Sequence, residues 1–425
     1  MPIARNVASP IEQGPPAGIG SATAQPLWIL ILAAGTVVGL AMGIRNIMGL
    51  YMPPVTQSLG IGRETFGLAM AIANIVWGLG APFAGAISDK YGSGRVIAGG
   101  TLTTMTGLYL MYAASSGTEL LVSGLLLGLG ISGTGVTTLL GTVGQKAPAE
   151  KRMFAMSAVS IGSGLGILCA LPYAHLLIEY VGWRESLLVL AATIGVMFPL
   201  AWILSGKKTP PATGAAKAQT LKEALREAFA LPSFWLLTGG YFVCGFHVTF
   251  YSVHLPAFVV DQGMPRSVAT GALMAVGVFN ILGTMFFGRL SASIGKRMSL
   301  SSVYFLRAIV FLGFLYLPMT PVTIMALSCC IGLLWLTTVP LTTAMVATFF
   351  GTTWLAMLGG IVFFSHQVGS FLGVWAAGWI YDATKSYDLV WWISVALGVF
   401  AGFMHLPIKE QPVPRLVRQA QPQAA

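Results

Sequence analysis

The chain has 425 residues, of which 56% are hydrophobic and only 8% charged, with a net charge of +10 and a mean hydropathy of +0.79. A soluble domain carries about 25% charged residues, and a disordered chain is poor in apolar ones, so both classes are excluded. Apolar runs of about 20 residues, the length of a membrane-crossing helix, replace the short alternating strands of an outer-membrane barrel. What remains is an all-α, polytopic membrane protein.

Residues 1–26 are polar and hold Pro10, Pro15 and Pro16. No short basic-then-apolar segment with a cleavage site precedes the first long run, so a cytoplasmic tail is expected rather than a cleaved signal peptide. Six spans follow, at 27–51, 64–87, 95–114, 118–143, 153–179 and 183–205, forming an N-terminal half over 27–205. Residues 206–232 are rich in Lys, Pro, Gly and Ala and turn helical at LKEALREAF, the pattern of a cytoplasmic linker. Six more spans, at 233–259, 267–289, 299–318, 321–348, 355–381 and 387–406, form a C-terminal half over 233–406, and 407–425 is a second cytoplasmic tail.

Lys and Arg set the orientation of such a chain. With the N-terminus inside, 17 basic residues fall in inside segments and four (Arg63, Arg184, Arg266 and Lys385) outside. Two lie within spans, Arg45 and Arg307. The positive charge is thus explained by topology, and no nucleic-acid partner is expected. Cys169, Cys244, Cys329 and Cys330 all sit in apolar runs without metal-ligand spacing, so neither a metal nor a cofactor is expected.

The two halves match at a constant offset of 203 residues. Pro53 meets Pro256, Gly60 meets Gly263, Arg63 meets Arg266, Gly85 meets Gly288, Gly92 meets Gly295, and Glu179 meets Asp382. Parallel six-helix repeats imply a pseudo-two-fold axis along the membrane normal, with a substrate cavity between the halves.

The loop after the second span reads GAISDKYGSGR and resembles the G-x-x-x-D-x-x-G signature of the major facilitator superfamily, with Gly85, Asp89, Gly92 and Arg95 in register and Lys90 beside them. The resemblance implies a gating role for these five residues, with Asp89 pairing to a basic group or a helix N-terminus; the alternative is a solvated turn. The second copy, GRLSASIGKR, has Ala292 where the acid would be. Within the superfamily, RNIMGLYMPPV, GFHVTFYSVHLPAFVVDQG, YFLRA, LTTVPLTTA and HQVGSFLGVWAAGWIYDATKSY resemble the bacterial monocarboxylate-porter and oxalate–formate-antiporter-like branch. This implies transport of small organic anions. The pattern departs from animal-type porters at Asn280 and Thr284, where an acid and an arginine would stand. It departs from the oxalate–formate type at His366–Gln367, where a lysine is expected. The cationic centre must then be built elsewhere.

Arg45, in the first span, is the sharpest candidate for that centre. A charge at depth costs about 2.5–3.5 kcal/mol and normally faces a cavity, and the repeat places Val248 at the equivalent position. A guanidinium offers a planar fork that fits a carboxylate. The competing reading is an arginine snorkelling to the outer interface. Arg307, in the ninth span, carries the same two readings, with the snorkel toward the cytoplasmic face. His247 and His366 are titratable groups near mid-span, with Tyr51 and His254 as secondary candidates nearer the outside. No Asp or Glu lies deep in a span, so a coupled proton would fall to histidine or to the substrate. Asn74, Trp77, Asn280, Trp335 and Gln367 are polar or amphipathic residues in apolar helices. They fit either packing hydrogen bonds or the neutral wall of a cavity. The glycine-dense stretches 124–135 and 162–166 read as helix-packing surfaces.

The function expected is secondary transport of small organic anions, chiefly monocarboxylates, by a monomer in the bacterial inner membrane, with protons as candidate co-substrates. Export of amphipathic drugs is the alternative, though cationic drugs would want a buried acid. A sensor would need a signalling domain, and an enzyme would need a nucleophile–base set; neither pattern is present.

Overall fold

The computed structural model describes residues 26–148, 151–205, 219–351 and 354–420. Among these residues the secondary structure is entirely helical. With no water at membrane depth, a helix is the element that satisfies every backbone group within its own segment. The first half comprises α1 (Leu27–Leu59), α2 (Arg63–Tyr91), α3 (Ser93–Ala113), α4 (Gly117–Thr134), α5 (Val136–Lys146), α6 (Arg152–Tyr180), α7 (Trp183–Ile194) and α8 (Met197–Ile203). A short α9 (Leu221–Phe229) follows. The second half comprises α10 (Pro232–Asp261), α11 (Arg266–Ile294), α12 (Lys296–Tyr316), α13 (Pro321–Leu334), α14 (Thr338–Phe350), α15 (Leu355–Thr384) and α16 (Asp388–His405), and the described chain ends in α17 (Pro414–Ala420).

Among the described residues, eleven stretches are long and apolar enough to cross a membrane, where the sequence led us to expect twelve. The remaining span is α3, 21 residues long, whose hydropathy is diluted by Thr101, Thr103, Thr104, Thr106 and several glycines. It packs against α4, α7 and α8 as a full member of the bundle. The first span outruns its expected limit at 51. Pro53 and Pro54 do not end α1, which continues to Leu59 and stops at Gly60, where φ is +62°. The fourth span breaks at Gly135, between α4 and α5, and the tenth breaks at Trp335–Thr337, between α13 and α14. Pro340, third residue of α14, has no N–H to continue the ladder, a loss that costs least in a first turn.

Inside each half one helix pair approaches to backbone contact. On α1, a side chain at Gly39 would stand 2.8 Å from the Gly162 carbonyl oxygen of α6. On α15, one at Gly373 would stand 2.6 Å from the Phe246 carbonyl oxygen of α10. The halves themselves meet along α1–α10, α2–α15 and α6–α11.

The two ends of the bundle differ. At the end carrying the α1–α2 turn, Arg63 makes a two-pronged ion pair with Asp261, both contacts at 2.6 Å, and its guanidinium lies 3.7 Å over the Tyr381 ring. Gly62, the N-cap of α2, has no side chain to offer. The cap comes from α15 instead: the Asp382 carboxylate accepts the N–H of Arg63 at 3.0 Å and of Glu64 at 2.7 Å. The Trp375 indole N–H donates to Glu64 at 3.1 Å. At the α2–α3 end, the ion pairs among the described residues stay on the C-terminal side of the chain, Lys296–Glu410 at 3.5 Å and Arg415–Glu227 at 3.3 Å.

Candidate functional site

Near their midpoints, α1, α2, α10 and α15 bring nine polar or aromatic side chains to the seam between the halves. Arg45 on α1 donates through Nε (3.2 Å) and Nη2 (2.9 Å) to one oxygen, Oδ1 of Asn74 on α2. Nη2 also reaches Thr249 on α10 at 3.5 Å. Thr249 donates to Ser370 on α15 at 2.9 Å, and Ser370 lies 3.5 Å from His366 Nδ1. His366 Nδ1 is 3.0 Å from Gln367 Oε1, and Gln367 Nε2 donates to the Asn74 carbonyl oxygen at 2.9 Å. The chain of bonds thus leaves the N-terminal half at Arg45 and returns to it at Asn74.

Aromatic rings flank this ring of bonds. The Arg45 guanidinium lies 5.2 Å over Trp77, and Trp77 meets Phe363 edge-on at 5.3 Å. His366 packs between Tyr241 at 5.0 Å and Phe363 at 5.8 Å. Met48, Met70, Leu127, Ile131 and Val253 complete the walls. The free cavity beside Arg45 is about 20 Å³, room for one water molecule. Every acceptor that the structure records for the guanidinium is neutral. A neutral oxygen gives roughly half the bond strength that a carboxylate gives.

Arg45, Asn74, Trp77, His366 and Gln367 therefore come together, and the other sequence candidates lie elsewhere. Tyr51 is buried and shares a 2.8 Å hydrogen bond with Ser186 on α7. His247 is buried in the C-terminal half, 2.9 Å from the Ser394 carbonyl oxygen and edge-on to Phe311. His254 bridges α10 to the Tyr387 hydroxyl and the Val374 carbonyl oxygen, each at 2.9 Å, under the Arg63 clamp. Asn280 accepts the Leu336 N–H at 2.9 Å, inside the break of the tenth span. Trp335 sits in that break against Tyr251.

Arg307 requires a correction to both of its sequence readings. It does not snorkel, being only 2% exposed, and it does not reach the Arg45 cleft. Its guanidinium donates to the carbonyl oxygens of Leu334 and Trp335. The break strands these acceptors, and a cation at a helix C-terminus is favourable in addition. Of the motif residues, Gly85 has open space where a side chain would go, Gly92 takes a φ of +95°, and Lys90 lies over the Tyr91 ring at 5.1 Å. Arg95 is exposed, and the side chain of Asp89 lies outside the described residues.

Sequence reasoning missed Thr249, Ser370, Arg63, Asp261 and Asp382 as members of the seam. The first two are ordinary hydroxyls with no signature. A signal did exist for the clamp: a basic residue opens α2, against the helix dipole, behind a glycine that cannot cap. Both features call for an acid from elsewhere.

Comparison with known proteins agrees with this architecture. The family model "Major Facilitator Superfamily" matches residues 27–374. Monocarboxylate transporter 11 of Mus musculus is 29% identical over 285 residues, covering 64% of this chain, and the match spans 58% of the mouse protein. The oxalate:formate antiporter of Oxalobacter formigenes is 24% identical over 291 residues, covering 67% of this chain and 68% of the antiporter. Among solved structures, a bacterial homologue of the human lysosomal transporter Spinster, in an inward-facing and unoccupied conformation, superposes with a TM-score of 0.72 at 15% identity. That match covers 93% of this chain and 100% of the other. With the family model spanning most of the chain and the helices arranged as in those transporters, this protein belongs to the Major Facilitator Superfamily.

Proposed function

We propose that the protein carries small organic anions, monocarboxylates first among them, across the membrane by alternating access, with Arg45 as the anion-binding cation. One observation carries the reading. A guanidinium at membrane depth is held by neutral oxygens alone, from Asn74 and Thr249. An arriving carboxylate replaces Asn74 Oδ1 in the fork, forms charge-assisted bonds and neutralises the charge for the crossing. Trp77 and the apolar walls take the rest of the molecule. The relatives whose names specify monocarboxylate, oxalate and formate point to the same class.

The sidedness belongs to this proposal. The 17-to-4 split of basic residues places both tails and the 206–232 linker in the cytoplasm. The Arg63–Asp261–Asp382 clamp then closes the outer face, and the α2–α3 end faces inward. Two rigid units, 27–205 and 233–406, rock about the seam. A proton accompanies the anion, and His366 lies two hydrogen bonds from Asn74.

The test is uptake of radiolabelled monocarboxylates into proteoliposomes, with and without an inward proton gradient, and with a cationic amphipathic drug in parallel. Saturable carboxylate uptake that the gradient accelerates is expected. Drug uptake without carboxylate uptake would reverse the substrate assignment.

A further inference from the structure

The two halves break their fourth and tenth spans at near-equivalent places and finish the breaks differently. In the C-terminal half, protein groups serve both sides of the break. Asn280 accepts the Leu336 N–H, and Arg307 covers the Leu334 and Trp335 carbonyls. The 203-residue offset puts Trp77 where Asn280 stands, and Thr104 where Arg307 stands. Thr104 turns its hydroxyl back onto Gly100 of its own helix, at 2.9 Å. An indole N–H can only donate, so the acceptor that Asn280 supplies has no counterpart.

The α4–α5 break is left with donors. Its N-cap is Gly135, without a side chain, and the N–H groups of Val136, Thr137 and Thr138 receive neither a side-chain nor a backbone cap. The Thr138 hydroxyl is committed to the Ser132 carbonyl oxygen at 2.9 Å. Trp77 is 7% exposed, and its Nε1 is buried without a hydrogen-bond partner. That nitrogen is aimed at the break: a Cβ on Gly135 would lie 3.2 Å from it. Unpaired amides persist at membrane depth where they are buried in protein or line a polar cavity, and here Thr138 is buried while Thr137 is exposed, so the break has an open side. The positive end of an 11-residue helix adds to the same sign of field.

We infer that this break is a second carboxylate subsite, in which the amides of Val136, Thr137 and Thr138 and the Trp77 indole N–H hold an anion. Gly135 lies 18 residues from the start of α4, and Trp77 lies 14 from the start of α2. At 1.5 Å per residue the subsite is about 6 Å nearer the α2–α3 end than the Arg45 cleft. Trp77 joins the two, with its face toward Arg45 and its N–H edge toward Gly135. An anion leaving Arg45 toward the cytoplasm passes onto the amides before it meets water. The assignment rests on the carboxylate reading of Arg45 for the class of anion, and on the break alone for its place.

The test uses the full chain without its four cysteines, carrying Thr137→Cys, a change that keeps the amide. Labelling by a charged thiosulfonate is timed in sodium acetate and in the bulky sulfonate isethionate at equal ionic strength. Acetate is expected to slow labelling. Val136→Pro deletes one amide at a first helical position, behind a Gly135 whose φ of −77° and ψ of 175° suit a following proline. It should raise the half-protecting acetate concentration about tenfold, as should Trp77→Phe, each removing one hydrogen bond to a charge. If Val136→Pro fails to fold, as judged by its melting midpoint, Trp77→Phe decides. Arg45→Ala should keep the protection. Three results overturn the subsite: no protection by acetate, equal protection in the folded variants, or loss of protection with Arg45→Ala alone. Were Arg45→Ala to transport normally with protection intact, the reading of Arg45 would fall and the subsite would stand.

Discussion

Arg45 and Arg307 are both arginines set deep in apolar helices, and the sequence offers no carboxylate at depth to either. Their surroundings put them to opposite uses. Arg307 is closed in, its Nε and Nη2 donating to carbonyl oxygens that the break between α13 and α14 leaves stranded while Nη1 is buried without a partner. Those acceptors are backbone, fixed in place, and nothing in a transport cycle need displace them. Arg45 is half-buried at the seam, and its partners are side chains of Asn74 and Thr249 that can swing away. The contrast teaches that the permanence of its acceptors, more than its depth, separates a bracing charge from a binding one.

Four experiments break or sharpen that contrast. The largest effect is expected from Arg45→Ala. Loss of two charge-assisted hydrogen bonds should weaken carboxylate binding about a hundredfold or more, while the melting temperature without ligand stays level or rises. Thermal shift against acetate concentration measures both. Arg307→Leu should do the reverse. It strands two carbonyl oxygens at a cost of about 2–3 kcal/mol, seen as a lowered melting temperature, with acetate affinity held within about threefold, since less than one hydrogen bond's worth changes at the cleft. A large loss of affinity with normal stability would show that Arg307 faces substrate after all.

Arg45→Lys keeps the charge and loses the fork, so binding should weaken about tenfold without vanishing. The smallest effect is expected from Asp382→Asn. The amide oxygen still accepts from α2 but no longer carries the charge that suits a helix N-terminus, worth about 1 kcal/mol. The α1–α2 end should then open about fivefold more often, read as faster labelling of a cysteine at Ser252 by a water-soluble reagent on the purified protein. An unchanged rate would mean that the Arg63–Asp261 pair holds that end closed alone.

What the sequence reveals follows the same division. Arg45 stands out because a charge interrupts an apolar run, and Trp77, Asn74 and Gln367 stand out in the same way. Thr249 and Ser370 do not, because in a helix their hydroxyls usually turn back to the carbonyl four residues earlier, and only tertiary contact draws them to the seam. The role of Arg307 was hidden because the break it serves lies about thirty residues away, on α13, and Pro340 was the one local mark of that break. The G-x-x-x-D-x-x-G signature was legible as a motif. The clamp at the opposite end was not, because Arg63, Asp261 and Asp382 come from the ends of three helices whose meeting depends on how the halves dock.

The cap that Asp382 lends to α2 has a consequence of its own. A helix capped from within keeps its first turn whether or not its neighbours move. The first turn of α2 holds two amides, on Arg63 and Glu64, whose acceptor leaves with α15 whenever the halves part at that end. Those two amides form a clock built into the backbone. Their hydrogen–deuterium exchange rate counts the fraction of time the face stands open, in the unmodified protein and without any probe attached.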